Sequence, residues 1–172
     1  HMMRDHADCF KTGLEAVAAT IASYAGLCIR TELASGILLI SPRLAGEDVI
    51  SDEEFETFCR PYDLIVLESV SNALLNVLHM SGPGARVNAV LDYPVQALGW
   101  SGHRPGSPLL ADVWKQTDKI VLGGLNPDGA LLTGPAEDVL TEAQDALNVT
   151  GGKRLILGAW DEVNPAVPAE RL

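Results

Sequence analysis

The sequence is poor in basic residues and cysteines, and each shortage narrows the possible functions. Its 172 residues include 12 Lys and Arg against 23 Asp and Glu, a formal net charge of −11. Nucleic acids and anionic membrane surfaces are bound through clusters of Lys and Arg, so neither is expected as a partner. The three cysteines, Cys9, Cys28 and Cys59, are odd in number and widely spaced. That pattern favours a reduced, cytoplasmic chain over a disulfide framework.

Long uninterrupted apolar runs are also lacking. The run at residues 37–40 is far shorter than the roughly 20 residues that a membrane helix needs. The N-terminus shows no signal-peptide pattern, so we expect no membrane association. His1 and Met2 before Met3 have the form of a cloning remnant, and we therefore take residues 3–172 as one domain. The 47% apolar content is enough to fill the core of such a domain.

Apolar periodicity predicts an alternation of helices and strands. Apolar residues recur every three or four positions over residues 8–30, which predicts a long amphipathic helix. Short apolar segments bounded by Gly, Pro or polar residues predict strands, and the first of them is expected to be buried on both faces. The predicted strands are residues 35–41, 74–79, 94–100, 119–124 and 153–157. The predicted helices between them are residues 52–62, 63–73, 108–117 and 135–147.

The local helix signals agree with this alternation. Ser51 and Glu54 form a capping-box pattern at the start of one helix, and Gly151 follows the end of the last one. Buried strands separated by helical crossovers predict parallel βα units, because hairpins cannot contain such connections. A repeat of this kind fits either a doubly wound sheet or part of a (β/α)8 barrel. Composition and periodicity do not choose between the two.

Several segments, taken in order, resemble landmarks of the uroporphyrinogen decarboxylase superfamily. They are residues 13–18 (GLEAVA), 41–43 (SPR), 51–62 (SDEEFETFCRPY), 77–82 (VLHMSG), 92–100 (DYPVQALGW) and 123–127 (GGLNP). The resemblance extends from about residue 8 to residue 172 and rests on the order of these segments. Members of the superfamily are (β/α)8 barrels, typically of roughly 300 residues or more. The resemblance therefore implies an α/β domain forming part of a TIM barrel, with about five strands present and the N-terminal strands missing.

The same resemblance implies a function for the complete protein. It would be a carboxy-lyase that decarboxylates a tetrapyrrole polycarboxylate without a cofactor, by polarising a pyrrole ring with Arg and Asp groups. The missing strands carry the Arg and Asp of the decarboxylases, so the activity of this chain alone stays open. Two alternatives remain, a corrinoid-dependent methyltransferase and a non-catalytic half-barrel that binds a ligand or assembles with a partner. An incomplete barrel has open edges, so we expect a homodimer or a complementary N-terminal half-barrel.

The methyltransferase alternative can be followed at three positions. In that branch of the superfamily a His and two Cys bind zinc. His79 stands at the His position of the motif, whereas Ser81 and Asp161 stand at the two Cys positions. A set of His, Ser and Asp is a weaker zinc site than one with thiolates, so zinc or a corrinoid is expected only if this alternative holds. Otherwise His79 is a histidine at a strand end whose ring nitrogens hydrogen-bond to the backbone or to a carboxylate.

The candidate substrate-binding residues lie at strand ends and in the loops that follow them. They are Ser41, Arg43, His79, Trp100, Arg104, Asn126, Trp160 and Asp161. Ser41 matches a serine that contacts a substrate carboxylate in the decarboxylases. Arg43 and Arg104 are the arginines best placed to bind a substrate carboxylate through two parallel hydrogen bonds. Trp160 stands where the decarboxylases commonly have a His and is expected to form pocket wall or core. Asn126 follows a pair of glycines that permit a turn or the close approach of a ligand.

Overall fold

A computed structural model of the chain describes residues 2–41 and 46–169. These residues contain one sheet of five strands, in which every neighbouring pair is parallel. The strands are β1 (Leu38–Ser41), β2 (Val77–Met80), β3 (Ala97–Trp100), β4 (Ile120–Leu125) and β5 (Leu155–Ala159). The predicted parallel βα repeat is therefore confirmed.

The order of the strands in the sheet separates the two possible architectures. They lie in the order β1-β2-β3-β4-β5, so each strand pairs with the next one in the chain. A doubly wound sheet reverses direction at a switch point, whereas a barrel adds every strand on the same side. With right-handed crossovers, a sequential order places all helices on one face of the sheet. The fold is an α/β arrangement consistent with part of a TIM barrel, as the resemblance implied.

The helices of the described ranges are α1 (Met2–Asp5), α2 (Ala7–Arg30), α3 (Asp52–Phe58), α4 (Arg60–Ser69), α5 (Leu110–Gln116) and α6 (Ala136–Thr150), with a 3-10 helix at Val87–Val90. Helices α2 to α6 overlap the predicted ones, whereas α1 and the 3-10 helix were not predicted. The capping box of α3 is confirmed, because Ser51 Oγ accepts from the Glu54 N–H and the Glu54 carboxylate accepts from the Ser51 N–H. Helix α6 ends at Gly151, whose φ of 61° lies in the left-handed region.

Strands β1, β2, β3 and β5 begin two or three residues later than the sequence predicts. For β2 and β5 the reason is local. Before β2, the Leu74 N–H bonds to the Ser35 carbonyl oxygen at 2.8 Å in a connecting turn, and regular pairing begins only at Val77. Before β5, Arg154 has a φ of 50°, which is incompatible with an extended strand, so pairing begins at Leu155.

The main core lies on the helix side of the sheet. Strand and helix residues share one buried cluster there, which includes Leu78, Leu98, Val121, Phe55, Leu67 and Val113. Leu78 and Val121 are completely buried. Burying a side chain of this size stabilises the fold by about 1.5–3 kcal/mol. This layer holds the strands in register, so that the loops at their carboxyl ends converge.

The opposite face of the sheet is open at its first strand. The register places Leu38 beside Val77 and Ile40 beside His79, so these four residues share a face. Leu38 and Ile40 are 58% and 53% exposed. The prediction that the first strand is buried on both faces is therefore wrong, because no element of the described ranges covers this side of β1. In a closed barrel this side faces the interior.

Helix α2 is long and apolar. It has 24 residues, and 22% of its most apolar stretch is buried. By length and composition alone it is the one helix of the described ranges that could cross a membrane, a test that core helices and signal sequences also pass. The sequence interpretation considered only uninterrupted apolar runs and overlooked it. The side of α2 near Ala25 packs with Val70 and Ala73, which follow α4.

Candidate functional site

The carboxyl ends of β2, β3 and β5 bring three polar residues together. His79 lies near the end of β2, Ser101 directly follows β3, and Asp161 follows β5. In a parallel sheet the loops after the strands meet at one edge, so residues far apart in sequence become neighbours. This cluster of His79, Ser101 and Asp161 is called the strand-end network below.

Ser101 is the centre of the strand-end network. Its side chain is completely buried, and its Oγ donates a hydrogen bond to Asp161 Oδ2 at 2.6 Å. The same Oγ accepts from the backbone N–H of Gly82 at 2.7 Å. One hydroxyl therefore links the loops that follow three strands. A short bond to an ionised oxygen in a buried place is among the stronger hydrogen bonds in proteins.

His79 approaches the other oxygen of the same carboxylate. Its Nε2 lies 3.5 Å from Asp161 Oδ1, and the two side chains are 12% and 16% exposed. Space for the imidazole depends on the neighbouring strand. A Cβ added to Gly99 would lie 2.7 Å from His79 Nδ1, so any larger residue there would push the ring away. The glycine of β3 thus makes room for the histidine of β2.

The network holds Asp161 as a carboxylate. Burial on its own raises the pKa of Asp161, because a charge is poorly solvated there. Hydrogen bonds from the Ser101 hydroxyl, the Glu162 backbone and His79 act in the opposite direction and prevail. The pKa of Asp161 therefore lies below its ordinary value. At neutral pH the site presents a fixed negative charge beside an imidazole.

Trp160 forms a wall behind the network. It is 8% exposed, and its ring centroid lies 5.0 Å from that of Trp100. Two glycines accommodate the indole, because a Cβ on Gly102 or Gly123 would lie within 2.8 Å or 2.3 Å of Trp160 ring atoms. A ring packed this closely has little freedom to move. The loop that carries Asp161 is thereby fixed.

A cleft of about 360 Å³ opens beside the strand-end network. Asp161, Ser81, Arg104, Asp128 and Glu162 are among the residues that line it. Arg104 Nη2 lies 2.8 Å from Asp128 Oδ2. The carboxylates outnumber the arginine among these five residues, so the cleft carries a net negative charge.

The chain matches the family model described as uroporphyrinogen decarboxylase over residues 1–172. It belongs to the uroporphyrinogen decarboxylase family. The sequential parallel sheet agrees with the barrel fold of that family. No curated protein matches the chain.

In this member of the uroporphyrinogen decarboxylase family, four of the eight predicted residues lie at or beside the cleft. They are His79, Arg104, Trp160 and Asp161. Trp100 instead lies in the core, completely buried, with its Nε1–H donating to the Pro108 carbonyl at 2.9 Å. Its predicted contact with a ligand stays a prediction.

Two further predicted residues, Ser41 and Asn126, lie apart from the network. Ser41 is buried at the end of β1, and its carbonyl oxygen accepts from the Ser81 N–H at 3.1 Å. Asn126 acts locally, because its Oδ1 accepts from the Asp128 N–H at 3.1 Å. Arg43 lies outside the described residues.

The sequence analysis missed Ser101 and Asp128, and also His103, whose Nε2 lies 3.4 Å from Asp128 Oδ2. Ser101 and His103 lie in a loop rich in turn formers, and Asp128 lies in the loop after β4. A usable signal was present, because polar residues directly after parallel strands lie on the face where barrel active sites form. Applying that rule to every strand end would have selected Ser101.

The predicted zinc ligands are only partly brought together. No group of three or more His, Cys, Asp or Glu residues suited to a metal occurs within residues 2–41 and 46–169. His79 and Asp161 form a pair, and Ser81 lines the adjoining cleft. Zinc in proteins usually has three or four strong ligands. Whether the complete site binds zinc stays a prediction.

Proposed function

We propose that this chain supplies part of the active site of a carboxy-lyase that decarboxylates a tetrapyrrole polycarboxylate. One observation carries the proposal: a buried network of Ser101, Asp161 and His79 lies at the carboxyl ends of parallel strands in a member of the uroporphyrinogen decarboxylase family. Barrel enzymes build their active sites at this end of the strands. Residues supplied by further βα units would complete the site.

Asp161 has the properties of an electrostatic stabiliser. Its carboxylate stays ionised at neutral pH and is held by Ser101. Such a group can accept a hydrogen bond from a pyrrole N–H and stabilise positive charge that develops when the ring is protonated. The bond between the side-chain carbon and its carboxylate then breaks, the electron pair moves into the ring, and carbon dioxide leaves.

His79 is placed to handle the proton that completes the reaction. After carbon dioxide leaves, the side-chain carbon must gain a proton, and the ring must return to solvent the proton that it took up before the bond broke. An imidazole can act as a general acid that supplies the proton to the side-chain carbon and takes another from solvent. His79 Nε2 lies 3.5 Å from Asp161 Oδ1, and this contact with the carboxylate orients the ring toward the network. Neither residue needs a cofactor for these roles.

The test is decarboxylation of uroporphyrinogen by the chain and by the protein with its barrel complete, with products separated as oxidised porphyrins. Asp161→Asn and His79→Gln are each expected to lower the rate by a factor of about 100 or more. Asp118→Asn is the control, because Asp118 lines a separate cleft with Trp114 and Arg154. Absence of catalysed decarboxylation, or an undiminished rate in Asp161→Asn, would contradict the proposal.

A second candidate is a corrinoid-dependent methyltransferase that activates a thiol on zinc. It is favoured by the 3.5 Å separation of His79 Nε2 and Asp161 Oδ1, which is close to the roughly 3.4 Å between two ligands of a tetrahedral zinc ion. Together with Ser81, these residues would hold the metal. The test is metal analysis of the purified chain and of Ser81→Cys with Asp161→Cys. Stoichiometric zinc in the wild type would favour this function over decarboxylation.

We also propose that further βα units cover the open side of β1, either as a complementary half-barrel or as a second copy of the chain. Light scattering of the purified chain distinguishes the two, because in that sample only a second copy can double the solution mass. Ile40→Glu should then return a dimer to the monomer mass, since Ile40 is 53% exposed on that side. Leu140→Glu on α6 is the control, at 69% exposure. A dimer unaffected by Ile40→Glu would contradict this arrangement.

A further inference from the structure

We propose that Arg104 forms a carboxylate-binding site that Asp128 occupies in the free protein, and that a bound carboxylate displaces the Asp128 side chain toward His103. The three residues lie outside the strand-end network. Arg104 and Asp128 line the same cleft, and His103 contacts Asp128. The carboxylate class of the ligand rests on the proposed function, but the exchange itself does not require decarboxylation.

The contact between Arg104 and Asp128 is of a kind that an external ligand can replace. Arg104 Nη2 lies 2.8 Å from Asp128 Oδ2, and the side chains are 43% and 39% exposed. Both residues line the cleft. Exposed ion pairs contribute little net stability, because water solvates each charge almost as well. A ligand carboxylate that reaches Arg104 competes with Asp128 on nearly equal terms.

His103 provides the place to which Asp128 can move. Its side chain is only 6% exposed, and its Nε2 lies 3.4 Å from Asp128 Oδ2. Neither ring nitrogen has a hydrogen-bond partner among the described residues. A buried polar group without a partner is unfavourable. A small rotation of the Asp128 side chain toward the ring would satisfy it.

The exchange needs side-chain motion only. The Asp128 backbone N–H donates to Asn126 Oδ1 at 3.1 Å, which holds the main chain in place. The neutral imidazole with its proton on Nε2 can donate to the displaced carboxylate, so no proton has to be gained or lost. Arg104 is then free to bind a ligand carboxylate with two parallel hydrogen bonds. One ionic contact is replaced by another, and a previously unpaired donor acquires an acceptor.

The mechanism makes a specific prediction about ligand class. A guanidinium fork matches a planar carboxylate better than a tetrahedral anion. The cleft also contains Asp161 and Glu162, whose charges oppose any anion that does not engage Arg104 directly. We therefore expect a simple carboxylate such as succinate to bind, and sulfate to bind much more weakly.

The test is calorimetric titration of the chain with succinate. Asp128→Asn should tighten binding about tenfold, because the competing charge is removed. His103→Phe should weaken binding severalfold in the wild-type background, and His103→Leu is the second variant if the larger ring disturbs folding. In the Asp128→Asn background the His103 substitutions should have no effect on binding, because position 128 then has no carboxylate that could move toward His103. Arg104→Gln should abolish binding in every background.

Glu162→Gln is the matched control, because it removes an equal charge from the same cleft. It should tighten binding by clearly less than Asp128→Asn. Equal effects of the two substitutions would mean that only the net negative charge of the cleft affects binding. That result would overturn the proposed displacement of Asp128. Additive effects of the His103 and Asp128 substitutions would overturn it as well, as would binding of succinate that survives Arg104→Gln or equal binding of sulfate. Loss of decarboxylase activity with an intact exchange would count against the proposed function alone.

Discussion

Ser101 and Asp161 are 60 positions apart in sequence, and the Ser101 hydroxyl donates a 2.6 Å hydrogen bond to Oδ2 of the Asp161 carboxylate. The same hydroxyl oxygen accepts from the Gly82 N–H at 2.7 Å. Because Ser101 is completely buried, water cannot replace either bond. This one side chain therefore both positions a charged group at the site and joins the loops after β2, β3 and β5.

Replacing Ser101 with Ala should destabilise the chain and raise the pKa of Asp161. The substitution leaves a buried N–H and a carboxylate oxygen without a partner, at a cost of about 2–3 kcal/mol. The folded-state pKa of Asp161 is depressed, so its contribution to stability is present at neutral pH and is lost on acidification. The stability difference between variant and wild type should therefore shrink as the pH falls below the range in which Asp161 titrates. Urea denaturation at several pH values measures both effects.

Ser107 offers a matched control for that experiment. Its Oγ is buried and has no hydrogen-bond partner among the described residues. Ser107→Ala removes an unsatisfied group and should leave stability unchanged or slightly increased. An equal loss in the two alanine variants would show that the hydrogen bonds of Ser101 contribute nothing specific.

Gly123→Ala should disrupt the wall formed by Trp160. A Cβ at this position would lie 2.3 Å from Trp160 Cε3, and the residue has a φ of 150°. We expect a loss of about 2–4 kcal/mol, measured by thermal or urea denaturation, since the indole ring or the backbone must shift. Gly158→Ala on the adjacent strand is the control, because an added Cβ there meets no atom within 4 Å. Partial recovery in Gly123→Ala with Trp160→Leu would assign the loss to the indole contact.

The fold was largely predictable because its signals are local. The apolar period of α2, the capping box of α3 and the glycine after α6 each depend on a few neighbouring residues. The strand starts were less predictable. Leu74 looks like part of a buried strand by its apolar neighbours, but a turn exposes 82% of it. Only the tertiary connection to Ser35 determines where β2 begins.

The site was predictable only in part, because its residues meet through the fold. His79, Arg104 and Asp161 could be selected at strand ends or in loops, whereas the partner of each depends on how the loops converge. Trp100 shows the limit of the pattern, since a short apolar strand does not reveal which side chains face the helices. The two glycines before Asn126 were attributed to a turn or a ligand, although they lie within β4 and Gly123 is needed to admit the Trp160 ring.

The buried pair of Asp63 and Tyr93 should give the chain a stability that falls as the pH rises. Burial raises the pKa of Asp63 to about 6, although a hydrogen bond from the Tyr93 hydroxyl, at 3.1 Å, partly opposes the shift. In the unfolded chain an Asp has a pKa of about 3.9. Between about pH 4 and pH 6 the folded state therefore binds more protons than the unfolded state, and stability declines with pH across that window.

Asp63→Asn should remove this decline and stabilise the chain at pH 7 by roughly 2 kcal/mol, because the uncharged amide is less costly to bury and can still accept from Tyr93. Asp92→Asn is a control of opposite sign, since a hydrogen bond from Arg60 lowers the pKa of Asp92 and its stabilisation is lost at low pH. Urea denaturation of the three proteins from pH 8 down to about pH 2 measures both trends, since the folded-state pKa of Asp92 lies below its ordinary value. A wild-type stability that rises between pH 4 and pH 6, and an Asp63→Asn variant that follows the same curve, would mean that Asp63 is solvated and ionised throughout that window.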